Sequence, residues 1–348
     1  MFRYLIAALV CAVSVYGETE ETVRKSVPVS SATHLRLNSE FGSISIQPGT
    51  GHSVDVEADF RGDPPSRKEF DKMLHDFRLE AVQQGSEVSV SATFAHGWEP
   101  LLSFMIFDSL LASHPICRNW QCLEYSRWLQ QVEFRITVPQ QFDANVATSG
   151  GSIAVGRLKG EVIAHTSGGS LKFDRIDGPV NGSTSGGSIT LDGARGRTVV
   201  HTSGGSIRIM DTTGDVDAST SGGSISIDGA TGHVKAHTAG GHIEAHDIMG
   251  AIDASTSGGS VTASLRAQPQ QECRFYTAGG SIKVTLPRDI RVNLDASTSG
   301  GAVSTDFPVT LSGDRHSHEL RTPLNGGGPL LYLHTSGGSI NVRSAGGL

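Results

Sequence analysis

Three scarcities narrow the fold before any motif is read. Aromatic residues make up 6% of the 348-residue chain and charged residues 18%, against about 25% charged in an ordinary soluble domain. So few bulky and charged side chains argue against a large catalytic α/β domain. Long apolar runs are also missing. After residue 17 no stretch reaches 18 uninterrupted apolar residues, so no membrane span is expected in the mature chain. Basic excess is absent as well. Lys plus Arg is 28 and Asp plus Glu is 35, a formal charge of −7, which argues against nucleic acid and anionic membrane surfaces as main partners. What is abundant is glycine, 43 residues. It does not recur at every third position, so the chain is not collagen-like. The composition points to a turn-rich, β-rich protein with small side chains.

The N-terminus reads as a targeting segment. Arg3 precedes a small and apolar run from Tyr4 to Tyr16, and Gly17, Glu18, Thr19, Glu20 and Glu21 follow. Thirteen apolar residues are too few to cross a bilayer comfortably and fit a signal-peptide core. Val15 and Gly17 suit the −3 and −1 sites, so residues 1–17 are expected to be removed and the protein exported: periplasmic, cell-surface or secreted. Export would leave Cys117, Cys122 and Cys273 in an oxidising compartment. Cys117 and Cys122 lie close together in one insertion and are the expected disulfide, with Cys273 a lone thiol. No C-x-x-C spacing or finger-spaced histidine pair supports zinc.

An internal repeat dominates residues 148–348. Thr148-Ser149-Gly150-Gly151-Ser152-Ile153 recurs with little change from Thr166, Thr184, Thr202, Thr220, Thr238 and Thr256, each step being 18 residues. It returns at Thr277, Thr298 and Thr335, after steps of 21, 21 and 37. A fixed period near 20 residues is a solenoid signature. Within the unit Thr220–His237, Ile225 and Ile227 share one strand face, Asp228-Gly229 reads as a turn, and Val234 and Ala236 point inward on a second strand. Paired glycines suit the closing corner. Each unit is thus one coil of a parallel β-helix, stacked on the next coil at ~4.8 Å. One coil buries too little to order its own residues, so the coils must stack. A second period of two coils shows in the residues before the threonines: His165, Ser183, His201, Ser219, His237 and Ser255.

Residues 26–147 are less regular. Asn38-Ser39-Glu40-Phe41-Gly42-Ser43-Ile44-Ser45-Ile46 reads as a worn copy of the unit, Lys68 to His75 as a short helix, and Val54 to Ala58, Leu79 to Val82, Val88 to Ala92 and Val132 to Val138 as strands. An insertion over residues 95–130 holds Trp98, Trp120 and Trp128. It is expected to be part of an end cap, with its tryptophans as candidate contacts.

The unit G-x-V-x-A-x-T-S-G-G-S-I-x-V, as around Gly232 to Ile243, resembles that of the bacterial β-strand-repeat adhesin-like domain family, a family of unknown function in exported and envelope proteins. The resemblance covers about residues 26–348. It implies an all-β fold, a right-handed, single-stranded parallel β-helix, and it carries no catalytic residues to transfer. The Trp-rich insertion and the 37-residue step depart from the family pattern. Export and a repeated outer surface with no conspicuous catalytic cluster favour a non-enzymatic, adhesin-like interaction or scaffold module of the cell envelope, without cofactor, with an envelope protein or a glycan as the expected partner. A carbohydrate-active β-helix and an envelope-stress or metal-responsive component are the alternatives.

Candidate chemistry competes with structural roles at every position. Asp217, Lys235 and Asp253 stand in one outward column and read as a charge ladder, with Asp215 and His233 beside it. His165, His201 and His237 are spaced too widely along their column to share an ion. His242, Glu244 and His246 form H-x-E-x-H on one strand face with Asp228 beneath His246, a weak metal candidate whose histidines stand ~13 Å apart along the strand. The aspartates of calcium β-rolls are absent, no phosphate-binding loop occurs, and the threonine column shares the parity of the inward residues.

Overall fold

The computed structural model describes residues 10–12, 19–29, 33–62, 67–94, 132–309 and 318–346. Among them the chain is all-β except for one helix, Arg67–Asp76, which buries Phe70. The chain divides into two compact units, residues 1–172 and 173–348. The copies at Thr148 and Thr166 therefore belong to the first unit.

The second unit shows the repeat most plainly. One sheet runs in the order Ile189–Arg195, Ile207–Thr213, Ile225–Ala230, Ile243–Ile248, Val261–Leu265, Ile282–Leu286, Ile340–Ser344, Val303–Thr305. The other runs Val180–Thr184, Thr198–Thr202, Val216–Thr220, Val234–Thr238, Ile252–Thr256, Cys273–Thr277, Leu330–Thr335, Val292–Thr298, Glu319–Leu324. Apart from Glu319–Leu324, pairing is parallel, with Val216 beside Val234 and Val234 beside Ile252. That register is an offset of one 18-residue period per coil, with two strands in each coil. Ile225, Ile227, Val234 and Ala236 are all buried, as their alternation requires. Asp228-Gly229 does not end its strand. Gly229 takes φ of 74° and drops out of the ladder together with Asp211, φ 46°, on the strand beside it, so both strands bend at the same step and the register is kept.

The T-S-G-G corner explains itself in atoms. Thr238 is buried; its Oγ1 donates to the carbonyl of Gly223 in the preceding coil (2.8 Å) and accepts the amide of Gly241 in its own (3.3 Å). Thr202, Thr220, Thr256, Thr277 and Thr335 repeat both bonds. The hydroxyl satisfies two part-buried backbone groups at a corner where the sheet ladder cannot. The second glycine is required by close approach. A Cβ on Gly223 would lie 2.0 Å from the Gly205 carbonyl oxygen, whereas one on Gly222 would lie 3.4 Å from the Gly204 oxygen.

The stacking order departs from chain order at the end of this unit. Thr335 pairs with Thr277 on one side and Thr298 on the other. The last coil thus fills a slot between two coils that precede it in sequence. Glu319–Leu324 closes the outer edge as an antiparallel partner of Val292–Thr298. The 37-residue step holds Val303–Thr305 and this edge strand.

In the first unit the worn copy is a working coil. Ile44 pairs with Ile153, and Ser39 stands beside Thr148, whose Oγ1 donates to the Gly42 carbonyl (3.0 Å). Phe41 replaces the first glycine and packs its buried ring toward Phe77 and Phe134. His34–Ser39 lies between Glu87–Phe94 and Asp143–Thr148, and Ser43–Gly49 between Val132–Pro139 and Ile153–Val155. Antiparallel strands Thr19–Pro28, Ser53–Gly62 and Phe77–Gln84 cover this end. Val10–Ala12 pairs with Thr19–Pro28.

Candidate functional site

The outward columns of the second unit are the surface available for function. The first is a serine ladder. Ser188 accepts the amide of Ser206 (3.2 Å) and Ser206 that of Ser224 (3.2 Å), both through Oγ. His242 occupies a serine position in this ladder. Its amide donates to Ser224 Oγ (3.1 Å), and its Nδ1 accepts the Ser260 amide (2.9 Å). The imidazole therefore takes over the role of a serine oxygen, with Nδ1 as acceptor.

Glu244 is exposed two residues further on, in register with Ser226, and His246 lies beside Asp228. An open depression of about 380 Å³ runs over Ser206, Arg208, Ser224, Ser226, His242 and Glu244. Among the described residues no three His, Cys, Asp or Glu side chains converge as a metal site.

The carboxylate candidates hold the stack together. Asp215 Oδ1 accepts the His233 amide of the next coil (2.9 Å). Asp217, Lys235 and Asp253 stand in register, as the ladder reading requires. The two-coil alternation also has a bonding reason: His201 Nδ1 meets Ser219 Oγ at 2.9 Å, and His237 Nδ1 meets Ser255 Oγ at 2.8 Å. A second depression of about 370 Å³ near Ala194 is bordered by the ion pairs Arg175–Asp211 (3.0 Å) and Arg195–Asp177 (3.5 Å).

These columns change character near the end of the unit. Arg274, Tyr332 and Asp295 stand in register on three adjacent coils, and Tyr276, His334 and Ser297 form the column beside them. Tyr276 and His334 have ring centroids 5.6 Å apart at 13°, and Tyr332 and His334 6.3 Å apart at 11°. His334 Nδ1 is held by Ser297 Oγ at 2.9 Å. Glu272 grips Arg274 through both carboxylate oxygens, at 2.8 and 2.9 Å, and the guanidinium holds the Glu272 carboxyl below the usual range. Arg321 bonds Asp295 (3.2 Å) and Glu319 (2.8 Å). Sequence reasoning missed this cluster. The available signal was the pair of tyrosines in the stretch where the 18-residue step breaks.

Cys273 is a free, fully buried thiol inside the coil, and burial pushes its pKa up. Trp98, Trp120, Trp128, Cys117 and Cys122 lie outside the described residues, as does most of residues 1–17. No helix among the described residues is long and apolar enough to cross a membrane.

Stacked parallel strands, polar columns and a threonine-bolted corner define a β-repeat protein of solenoid type. The chain belongs to the Toastrack DUF4097 family, a family of unknown function, whose model matches residues 32–343. No curated protein matches the chain. Two solved structures are similar at 13% identity. One, described as "a putative cell adhesion protein" from Clostridium sporogenes, covers 94% of this chain and 100% of its own at a TM-score of 0.21. The other, described as "a putative adhesin" from Bacteroides fragilis, covers 93% and 97% at 0.33. At these scores neither informs the function.

Proposed function

We propose that the chain is an exported, non-enzymatic, adhesin-like interaction or scaffold module of the cell envelope. One observation carries this reading. Four groups that could perform acid–base chemistry serve the stack instead: Asp215 caps a backbone amide, His201 and His237 bond serines of the next coil, and His242 completes the serine ladder. A surface repeated coil by coil suits extended contacts. The coil is right-handed in this reading, following the strong preference of parallel crossovers. Removal of residues 1–17, a Cys117–Cys122 disulfide and partner contacts by Trp98, Trp120 and Trp128 belong to the same proposal. The test is capture from native envelope extract by the purified full chain, alongside incubation with cell-wall and plant polysaccharides. Capture without turnover is the expected result. Release of new reducing ends or unsaturated products would overturn the non-enzyme reading. A glycan as partner is favoured over a protein by the tyrosine cluster.

A further inference from the structure

We infer that the outward grid of Arg274, Tyr276, Asp295, Ser297, Tyr332 and His334 binds a neutral saccharide chain, an assignment that rests on the interaction-module reading. Composition first sets this patch apart. Tyr276 and Tyr332 are the only tyrosines among the described residues, and no tryptophan is described. The phenylalanines of known exposure are all core residues. Among the described residues the tyrosine rings are therefore concentrated at one place. Tyr276 is 43% exposed and Leu330, on the same strand face as Tyr332, is 37% exposed; they are two of four exposed large apolar side chains among the described residues.

The position also breaks the repeat. In preceding coils the same columns carry Asn181, Val199, Asp217, Lys235 and Asp253, and Ser183, His201, Ser219, His237 and Ser255. Coil stacking alone does not call for aromatic rings there.

The geometry suits a sugar. An aromatic face is electron-rich and packs against the polarised C–H bonds of a pyranose ring, while neighbouring polar groups meet its hydroxyls. Here each tyrosine ring lies within 13° of parallel to the His334 ring. Ser297 fixes His334, and Glu272 fixes Arg274, so the groups are ordered before a ligand arrives. Three coils span ~10 Å and neighbouring outward residues on a strand stand ~6.8 Å apart, the footprint of two or three linked sugar rings. The patch is open, which suits a chain rather than an engulfed metabolite. Its charge selects neutrality. Arg274 is paired with Glu272, and Arg321 with Asp295 and Glu319, so no unpaired cation remains in this cluster to reward a uronate.

The experiment is calorimetric titration of the full chain with cellohexaose, chitohexaose and polygalacturonate. The test variant is Tyr276→Ser with Tyr332→Asn, residues that other coils carry in those columns. His237→Ser is the control. We expect a neutral hexasaccharide to bind, the double variant to lose about tenfold or more in affinity, and the control to match the parent. The far-UV spectrum and thermal midpoint should be unchanged; if the double variant loses its β spectrum, Tyr276→Ser alone carries the test. Absence of binding by both neutral hexasaccharides, equal binding by the variant, or preference for polygalacturonate would overturn the site. Envelope capture kept by the double variant, with no hexasaccharide bound by the parent, sinks this site and spares the module reading. Hydrolysis of a hexasaccharide bound at the tyrosines supports the site and sinks the non-enzyme reading.

Discussion

Replacing Thr238 with valine isolates the hydroxyl that bolts one coil to the next. Valine keeps the volume and branching and deletes only the oxygen. Two bonds disappear, one of 2.8 Å to the Gly223 carbonyl and one of 3.3 Å from the Gly241 amide. Both partners lie beside a fully buried side chain. Each lost partner costs about 1–2 kcal/mol, the longer bond at the low end, so Thr238→Val should cost ~2–3 kcal/mol. Thr238→Ser keeps the hydroxyl and loses one methyl, about 1 kcal/mol. The order Val worse than Ser is the content of the prediction. Urea unfolding followed by far-UV circular dichroism gives the ranking. Native-state hydrogen exchange gives the location: the Gly241 amide should exchange ~30-fold faster in the valine variant if about 2 kcal/mol is lost locally. Serine destabilising more than valine, with Gly241 protection unchanged, would show that threonine is there for its methyl group.

Other consequences can be checked the same way. Gly223→Ala places a Cβ 2.0 Å from the Gly205 oxygen and should cost roughly 3 kcal/mol or more, while Gly222→Ala, with 3.4 Å to its nearest atom, should cost less than about 1; equal urea midpoints would refute the close-approach argument. His242→Ser should preserve the ladder, whereas His242→Ala should speed exchange of the Ser260 amide; matching exchange in both variants would contradict the acceptor role of Nδ1. Burial raises the Cys273 pKa. The folded state then holds that proton more tightly, so this stability is complete below the unfolded thiol value of about 8.5 and is lost as pH rises through the folded value. Cys273→Ala should flatten the alkaline loss measured by urea titration from pH 8 upward, and an unchanged slope would refute it. Non-reducing peptide mapping should find Cys117 bonded to Cys122 and Cys273 free; three free thiols would contradict both the disulfide and export.

The repeating coils were legible because one short motif encodes both corner and register. Each threonine fixes its own glycine pair and the carbonyl one coil back, so 18 residues of sequence become one step of the stack. The alternation of Ile225, Ile227, Val234 and Ala236 marked the interior directly. The helix was legible too, within a residue of Arg67–Asp76 at each end. Beyond the repeat, spacing stops being informative. A 37-residue step is compatible with a loop thrown outward or with an edge strand followed by a returning coil, and only strand pairing distinguishes them. That ambiguity hid the tyrosine grid, because Tyr276 and Tyr332 become neighbours only when the last coil fills the slot beside Cys273–Thr277. His242 misled for a related reason: its spacing to Glu244 and His246 resembled a ligand set, while its ring was serving as a backbone acceptor in a serine's place.

The returning coil makes the protein's assembly depend on the direction in which it is synthesised. Val292–Thr298 leaves the ribosome 37 residues ahead of the matching Leu330–Thr335 strand, a lead of ~2–7 s at ordinary elongation rates. During that interval the slot beside Cys273–Thr277 is empty, and the early coil carries the same Thr298-Ser299-Gly300-Gly301 corner as the coil destined for it. A nascent chain that docks the early coil there would have to release it before the last one enters. Amide exchange across Cys273–Thr277 in a chain halted after Leu324 would read this directly. Protection there marks a premature tenant, and full exposure would mean that the slot waits for its owner.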